Sequence, residues 1–216
     1  MNTETPASIM LGSQEDLPRI YADMEQQFPP DEMYKYKILL QLLNRDKYKI
    51  LLYKRDSDGE LLGYALVYTI EDSNILWLDY IAILKEHQSH GYGNQLFMAL
   101  WRKYCDCALF DGMMFSVEHI CRNNPELAKR QKRRIAFYEH LGAHRLRAEF
   151  LLPHDNGALP MYLYFKPRRG LCSISRAIQM QAISQMYDYC FFYLKHRREL
   201  LARYKQTIRD EVFTEQ

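Results

Sequence analysis

Hydrophobic and polar residues follow one another along this chain in patterns that switch between strand and helix spacing. From Ile75 to Leu84 nearly every residue is apolar, and many are β-branched or aromatic, which is typical of a strand buried on both faces. From Leu96 to Tyr104 the apolar residues recur at helical intervals, which predicts a helix with one buried face. The segment Gln88–Asn94 between them carries two glycines. The central prediction is therefore a strand, a glycine-containing turn and a helix.

The same patterns predict the elements on either side. Two helices come first, over Glu15–Phe28 and from Asp31 onward, with Asp31 as the capping residue of the second. Two strands, Tyr48–Arg55 and Leu61–Ile70, then flank a turn rich in Asp, Ser and Gly, which indicates a hairpin. The later predicted elements are a strand at Met113–His119, a helix from Asn124 to Gly142, and strands at Arg147–Leu152 and Met161–Lys166. A long helical pattern then runs from Ser173 to about Asp210; unbroken it would be roughly 55 Å long, longer than such a domain is wide, which predicts a kink or a partner.

Composition narrows the class of protein. Of the 216 residues, 48% are hydrophobic and 26% are charged, as in ordinary soluble globular proteins. A formal net charge of +2 gives no global basic field, so nucleic acid is not expected as a partner. The five cysteines form no paired pattern, which predicts reduced thiols and no metal site. Without a signal-peptide pattern or a long apolar run, the expectation is a cytoplasmic protein with no membrane partner.

The glycine turn is the first candidate for chemistry. Gly91 and Gly93 would let the backbone approach a ligand closely and would leave successive amides unpaired at a helix start. Such a turn favours an anion, and a diphosphate suits it. The alternative is that the glycines only form a tight turn. The three-glycine dinucleotide pattern and the lysine-bearing nucleotide loop are both absent, which disfavours a dehydrogenase or a mononucleotide kinase.

Two motifs in this order resemble the GNAT superfamily of acyl-CoA-dependent N-acetyltransferases. Gln88-x-x-Gly91-x-Gly93 is similar to its Gln/Arg-x-x-Gly-x-Gly/Ala pyrophosphate loop, and Phe137-Tyr-Glu-His-Leu-Gly-Ala143 is similar to its Phe-Tyr-x-x-x-Gly helix end. The resemblance covers roughly residues 50–167. It implies an α/β (α+β) fold with a mixed, mostly antiparallel central sheet flanked by helices. The implied organisation is an acetyltransferase domain at 1–168 and a long C-terminal helical extension at 169–216.

The resemblance also implies acetyl-CoA as cosubstrate and no metal. In such proteins the backbone of the central strand pairs with the pantetheine arm, here at Ile81 and Ile83. An asparagine seven residues before the motif tyrosine often contacts the same arm; Gln131 stands at that position, and Asn123 or Asn124 could substitute for it. The residues implied to surround the diphosphate are Gln88, Ser89, His90, Gly91, Tyr92, Gly93 and Asn94.

Acetyl transfer to an amine needs a deprotonated amine, a polarised thioester carbonyl and a proton for the leaving thiolate. Tyr138 matches the family tyrosine that supplies this proton. Some family members carry a glutamate on the central strand, but the matching residue here is Trp77. Glu118 is the preferred general base, because a carboxylate in an otherwise apolar buried strand is explained by a raised pKa near the cleft. Asp79 is the second candidate. The alternative for Glu118 is a salt bridge to a basic helix residue.

The predicted function is acetyl transfer from acetyl-CoA to a primary amine of a small-molecule or peptide acceptor by direct attack. The alternative is a catalytically silent acyl-CoA-binding module with an assembly role, which Trp77 favours. A third hypothesis, nucleic-acid binding, rests only on basic residues of the terminal helix and is disfavoured. The acceptor itself is not encoded in any recognisable motif.

Two segments allow more than one interpretation. Basic residues between Lys129 and Arg134 predict either a solvated helix face or attraction of coenzyme phosphates or of an acidic acceptor. The aromatic run Tyr187–Tyr193 predicts core packing, with a homodimer through the C-terminal helix as the alternative.

Overall fold

The computed structural model of the protein describes residues 6–213, so the outermost parts of the two predicted ranges, 1–5 and 214–216, lie outside the described residues. The chain forms two compact units. Unit 1 contains the chain up to Thr69 together with Leu78–Tyr104. Unit 2 contains Ile70–Trp77 and the chain from Cys105 onward.

Unit 1 is built on strands that follow one another along the chain. Its elements are β1 (Ala7–Leu11), α1 (Leu17–Gln27), α2 (Tyr36–Leu43), β2 (Tyr48–Arg55), all but the last residue of β3 (Leu61–Ile70), most of β4 (Ile75–Ile83) and α3 (Tyr92–Trp101). The strand order is β1-β2-β3-β4, and β2 and β3 form the predicted antiparallel hairpin. Every residue of β3 is buried, so this strand lies at the centre of the unit.

The first two helices begin differently from the prediction. Helix α1 follows a 3-10 turn over Gln14–Asp16, which the side chain of Ser13 caps. Helix α2 begins only at Tyr36, because Pro30–Glu32 forms a separate 3-10 turn. No side chain caps the first turn of α2 among the described residues. The prediction that Asp31 caps this helix is therefore wrong.

Unit 2 is built on strands around one long antiparallel strand. Its elements are the first residues of β4, then β5 (Gly112–Glu118), α4 (Pro125–His140), β6 (His144–Arg145), β7 (Phe150–His154), β8 (Gly157–Pro167), β9 (Ser173–Ile174), α5 (Arg176–Cys190), α6 (Arg197–Thr207) and β10 (Glu211–Val212). The strand order is β4-β5-β8-β6, and β7 also pairs with β8. The β4–β5 pair is parallel and covers Ile75–Trp77, whereas all pairs with β8 are antiparallel.

The long helical pattern of the C-terminal extension is two helices in the structure, α5 and α6. Short antiparallel strands, β9 and β10, pair before and after them. The aromatic middle of the extension packs in a core as predicted, since Tyr187 and Phe191 are buried and the ring centroids of Tyr187 and Phe150 lie 6.0 Å apart. Residues on both sides of the predicted boundary at 168 lie in unit 2, and that boundary stays a prediction.

Candidate active site

The predicted glycine turn joins β4 to α3 in unit 1. A 3-10 turn over Lys85–His87 comes first. Ser89 and Gly91 then both have left-handed backbone, with φ of 67° and 83°, and Gly91 is the N-cap of α3. Left-handed residues interspersed with right-handed ones turn neighbouring amides toward one side, as in the backbone nests that bind anions.

The amides of this loop are left unused by the protein itself. Within residues 6–213, no carbonyl or side chain accepts a hydrogen bond from the amides of residues 89–93. The next amide, that of Asn94, donates to the carbonyl of Gly91 at 3.2 Å. A methyl group added at Gly91 or Gly93 would meet no described atom within 4 Å, so the space beside the loop is open. The helix start therefore presents accessible, positively polarised amides, as an anion site requires.

The strand before the loop has an open edge. The amide of Leu84 donates to β3 at 2.9 Å. Because backbone groups alternate in direction along a strand, those of Ile81 and Ile83 point away from β3. The carbonyl of Ile83 accepts from the carboxamides of Gln27 and Gln88, at 3.1 and 3.2 Å. Ile81 is thus placed to pair with an extended ligand, whereas the Ile83 carbonyl is already occupied.

The two carboxylate candidates of β4 and β5 have different partners. Asp79, on β4, accepts from the hydroxyl of Tyr48 at 2.6 Å, and both residues belong to unit 1. Glu118, at the end of β5 in unit 2, accepts from Nη1 of Arg134 on α4 at 2.6 Å. The salt bridge that the sequence left open for Glu118 is therefore present.

Trp77, which stands where a catalytic glutamate was considered, belongs to the core of unit 2. It is 1% exposed, and its ring centroid lies 5.9 Å from that of Phe150 on β7. Phe150 in turn lies 6.0 Å from Tyr187 of α5 and 6.4 Å from Tyr204 of α6, centroid to centroid. An aromatic cluster shared with the C-terminal helices thus occupies this position.

Helix α4 begins and ends as the sequence predicts. The side chain of Asn124 caps its first turn. At the other end Gly142 is left-handed, with φ of 78°. The amides of Gly142 and Ala143 donate to the carbonyls of Glu139 and Tyr138 at 2.9 and 3.0 Å. These two bonds form a Schellman motif, which fixes the last turn of the helix and with it the backbone of Tyr138.

Tyr138 is buried, with 8% of its surface exposed, and its ring centroid lies 4.6 Å from that of Phe115 on β5. Burial raises the pKa of Tyr138 to about 12; the charge of Arg134 lowers it and that of Glu118 raises it by smaller amounts. The phenol therefore stays protonated near neutral pH, which is the form that can donate a proton.

Gln131 lies on the same helix and is 6% exposed. Its Oε1 accepts from the amide of Cys121 at 2.7 Å, which anchors the loop before α4. Its Nε2 has no acceptor within the described part of the chain. The side chain of Gln131 therefore holds the loop through its oxygen, while the two hydrogens of its nitrogen can donate to a ligand.

The basic side of α4 faces open space. A shallow pocket there is lined by the basic side chains of Lys129, Lys132 and Arg133 and by the small residues Ala128 and Ala136. This geometry is compatible with both interpretations, a solvated face and a phosphate-attracting one.

The structure brings together some of the predicted residues and leaves others in separate units. The loop 88–94, Asp79, Ile81 and Ile83 belong to unit 1, whereas Glu118, Gln131 and Tyr138 belong to unit 2. Two side chains that sequence reasoning missed contact predicted residues, and these are Gln27 and Tyr48. The contact of Arg134 with Glu118 is the salt bridge to a basic helix residue that the sequence left open as the alternative. No sequence signal marks the contacts of Gln27 and Tyr48, because each contact joins residues far apart in the chain.

Neither a metal site nor a membrane span is found among residues 6–213. No group of three or more His, Cys, Asp or Glu side chains is arranged there to hold a metal ion. No described helix has both the length and the hydrophobicity needed to cross a bilayer.

The two segments that resemble GNAT motifs form an amide-lined turn at the start of α3 and a buried tyrosine near the glycine-capped end of α4. The family model described as "Acetyltransferase (GNAT) family" matches residues 15–143, more than half of the chain. The chain therefore belongs to the GNAT acetyltransferase family. No curated protein matches the sequence.

Solved structures agree on the fold. A protein from Bacteroides thetaiotaomicron assigned to the GNAT family is 17% identical, with a TM-score of 0.65, over 87% of this chain and 99% of the other. The ribosomal-protein-S18-alanine N-acetyltransferase from Escherichia coli is 18% identical, with a TM-score of 0.54, over 77% and 99%. NAA60 from Arabidopsis thaliana in complex with acetyl-CoA is 15% identical, with a TM-score of 0.53, over 76% and 100%. The predicted mixed, mostly antiparallel sheet flanked by helices is confirmed.

Proposed function

We propose that this protein transfers the acetyl group of acetyl-CoA to a primary amine by direct attack. The observation that carries the proposal is the run of unpaired amides from residue 89 to residue 93 at the start of α3. A coenzyme diphosphate would satisfy these amides and would interact favourably with the helix dipole. Family membership supports the same coenzyme, because the solved structure of NAA60 contains acetyl-CoA.

The coenzyme would lie along β4 and over the loop. The residues Gln88, Ser89, His90, Gly91, Tyr92, Gly93 and Asn94 form the surroundings of the diphosphate in this proposal, and the amides of residues 89–93 are the ones offered to it. The backbone of Ile81 pairs with the pantetheine arm, and Ile83 contributes its amide, since its carbonyl is occupied by Gln27 and Gln88. Gln131 contributes its unused Nε2 to a pantetheine carbonyl.

Tyr138 is the proposed general acid. When the amine attacks the thioester carbonyl, the C–S bond breaks and the coenzyme thiolate leaves with the electron pair. The phenol of Tyr138 donates its proton to that sulfur. The phenol is protonated near neutral pH and can therefore donate, and because burial raises the pKa of Tyr138 to about 12, its role depends on its position beside the thiolate and not on acid strength.

Glu118 is the proposed base, with Asp79 as the second candidate. Arg134 holds one oxygen of Glu118, so the proton from the amine would go to the other oxygen. Asp79 accepts a hydrogen bond from Tyr48, and it would take the amine proton from its position on β4. Replacing each carboxylate by its amide, Glu118→Gln and Asp79→Asn, separates them: the variant of the true base loses turnover, while acetyl-CoA binding is kept.

The acceptor is proposed to be a small-molecule or peptide amine. Structures of N-acetyltransferases for spermidine and for a ribosomal-protein alanine share the fold, and these are acceptors of those proteins. The comparisons do not support the catalytically silent alternative. Self-association through the C-terminal helices remains a proposal, and measuring the mass of the protein in solution tests it.

The decisive experiment has two parts. Calorimetric titration with acetyl-CoA is expected to give a saturable site, because the loop amides have no other partner. Release of free thiol is then measured with a panel of spermidine, amino-acid amides and peptides with free N-termini. No heat of binding at millimolar acetyl-CoA would end the proposal. Binding without thiol release from any amine in a broad panel would argue against catalysis alone.

A further inference from the structure

The carbonyl of Ile83 ends the open edge of β4, directly before the coenzyme loop. Two carboxamides satisfy it, Gln27 from α1 at 3.1 Å and Gln88 from the loop at 3.2 Å. The same two side chains bond to each other, Nε2 of Gln88 to Oε1 of Gln27, at 2.9 Å. The first residue of the loop motif is thus fixed to a helix 61 positions away in the sequence.

This network uses every carboxamide donor. Nε2 of Gln27 also donates to Oδ2 of Asp23 at 2.5 Å, and the hydroxyl of Tyr64 donates to the same oxygen at 2.8 Å. Each carboxamide nitrogen carries two hydrogens, and both are used in Gln27 and in Gln88. The fully buried Tyr64 ties the network to β3. A chain of hydrogen bonds therefore runs from the core of unit 1 to the loop.

The loop needs such support, because its function depends on the direction of its amides. Ser89 and Gly91 hold left-handed backbone without a carbonyl partner for their amides in the described chain. His90 is exposed, and its ring contacts the carbonyl of His87 at 3.3 Å and lies 6.1 Å from the ring of Tyr92, centroid to centroid. Backbone bonds of the 3-10 turn, from His87 to Leu84 and from Gln88 to Lys85, hold the start of the loop. The side-chain bonds of Gln88 to Gln27 and Ile83 tie this start to α1 and to β4.

We propose that Gln27 is a positioning residue for the diphosphate loop: by holding the Gln88 carboxamide and the Ile83 carbonyl from α1, it fixes the amides of residues 89–93 in the direction that binds diphosphate. This inference rests on the proposed function. It adds a residue outside both sequence motifs and links the coenzyme loop to helix α1.

The test compares two acyl donors that differ in the part Gln27 serves. Acetyl-CoA carries the diphosphate, whereas acetyl-pantetheine lacks it. The Gln27→Met variant keeps the length of the side chain and removes its hydrogen bonds. Its affinity for acetyl-CoA is expected to fall roughly tenfold, through KM and Kd, because bonds of ordinary net strength are lost. Its kcat/KM with acetyl-pantetheine is expected to fall much less, because the Ile83 carbonyl beside the pantetheine arm still accepts from Gln88.

The matched control is Gln26→Ala on the neighbouring residue. Gln26 is exposed, and its Nε2 donates within its own helix, to the carbonyl of Ala22 at 3.3 Å. This variant is expected to match the wild type with both donors. Thermal unfolding of all three proteins, with circular dichroism, reports on folding independently of either donor.

The outcomes separate this inference from the proposed function. A wild-type protein that ignores acetyl-CoA overturns both. A wild-type protein that binds acetyl-CoA, with Gln27→Met binding it equally well, overturns the positioning role alone. Equal losses with acetyl-CoA and acetyl-pantetheine would show a general structural role, which also overturns it. A selective loss with acetyl-CoA supports it.

Discussion

Two glycines in the same backbone conformation serve opposite ends of two helices. Gly91, with φ of 83°, is the N-cap of α3 in unit 1, and Gly142, with φ of 78°, follows the C-terminus of α4 in unit 2. At Gly91 the left-handed turn leaves amides without partners among the described residues. At Gly142 it closes the helix, because Gly142 and Ala143 donate to carbonyls of the last turn. One turn leaves backbone amides without partners among the described residues, and the other satisfies them within the protein.

In the proposed function, this difference separates coenzyme recognition, at the loop, from chemistry, at the end of α4. The loop after β4 offers main-chain amides, so its side chains matter less than its conformation. The end of α4 offers a side chain, Tyr138, and the backbone there only holds it in place. Substitutions in the loop should therefore act on coenzyme affinity, and substitutions at the helix end on stability or on kcat.

The largest effect is expected from Tyr138→Phe. This change removes the proposed proton donor and keeps the ring that packs on Phe115. Loss of a general acid lowers kcat by roughly a hundredfold or more. The Kd for acetyl-CoA should change little, and calorimetry beside steady-state kinetics measures both. Parallel losses of kcat and affinity would contradict the assignment of Tyr138 as the acid.

Gly142→Ala is expected to destabilise the protein. An alanine in the left-handed region costs about 1–2 kcal/mol. Its Cβ would also lie 3.3 Å from Nζ of Lys166, which donates to the carbonyl of Leu141 at the same helix end. Urea unfolding should show the loss, while acetyl-CoA affinity of the folded protein stays close to wild type. An unchanged unfolding midpoint would show that the Schellman turn is dispensable.

Gly91→Ala should weaken acetyl-CoA binding and change the stability of the fold little. The strain of about 1–2 kcal/mol is the same, but an added methyl group meets no described atom within 4 Å, so the exposed loop can relax. Relaxation turns the amides away, and acetyl-CoA binding is expected to weaken about tenfold. Gly91→Asn is the matched control, because asparagine tolerates the left-handed region. Gly93→Ala is a second control, since the family motif allows alanine there.

The smallest expected effect is the contribution of His144 to the pH dependence of stability. His144 on β6 stacks on Phe213, with ring centroids 4.5 Å apart. Burial, and then the charge of Lys166, lowers the pKa of His144 in the folded protein. The unfolded chain, with a histidine pKa of about 6.5, therefore takes up the proton more readily. The stability contributed by neutral His144 is present above that pH and is lost as the pH falls through the lowered value.

The test replaces His144 with phenylalanine, which keeps a ring against Phe213 and does not titrate. Between about pH 7.5 and 5.5 the wild type should lose more unfolding free energy than His144→Phe, by less than about 1 kcal/mol because the imidazole is partly exposed. Denaturant titrations at several pH values measure the difference. A variant with the same pH slope as the wild type would exclude His144 as a contributor.

The sequence predicted those parts of the fold that depend on local chemistry. Helix α4 was predicted with its asparagine cap and its terminal glycine, because capping is decided within a few residues. The break between α5 and α6 was not located, since helical spacing continues through Phe191 and Tyr193. Strand β1 and the short strands β6, β9 and β10 were missed, because so few residues leave no clear period.

The candidate site was predictable only where motifs mark it. The glycine loop and Tyr138 stand in recognisable patterns. The partners of the other candidates stand in no such pattern. Arg134 forms a salt bridge with Glu118 and Tyr48 donates a hydrogen bond to Asp79, and each pair joins residues from different elements. The carboxamide of Gln88 meets Gln27 in the same way. Only the tertiary arrangement brings such pairs together, so no spacing along the chain encodes them.

The aromatic cluster around Phe150 shows that the C-terminal helices cover part of the core of unit 2. Tyr187 covers Phe150 and donates to the carbonyl of Leu151, and Tyr204 approaches the same ring from α6. A shortened protein that stops after β8 would leave Phe150 and Trp77 facing water and would be prone to aggregate. Assays and crystallisation should therefore use the whole chain, and an insoluble truncation would say nothing about catalysis.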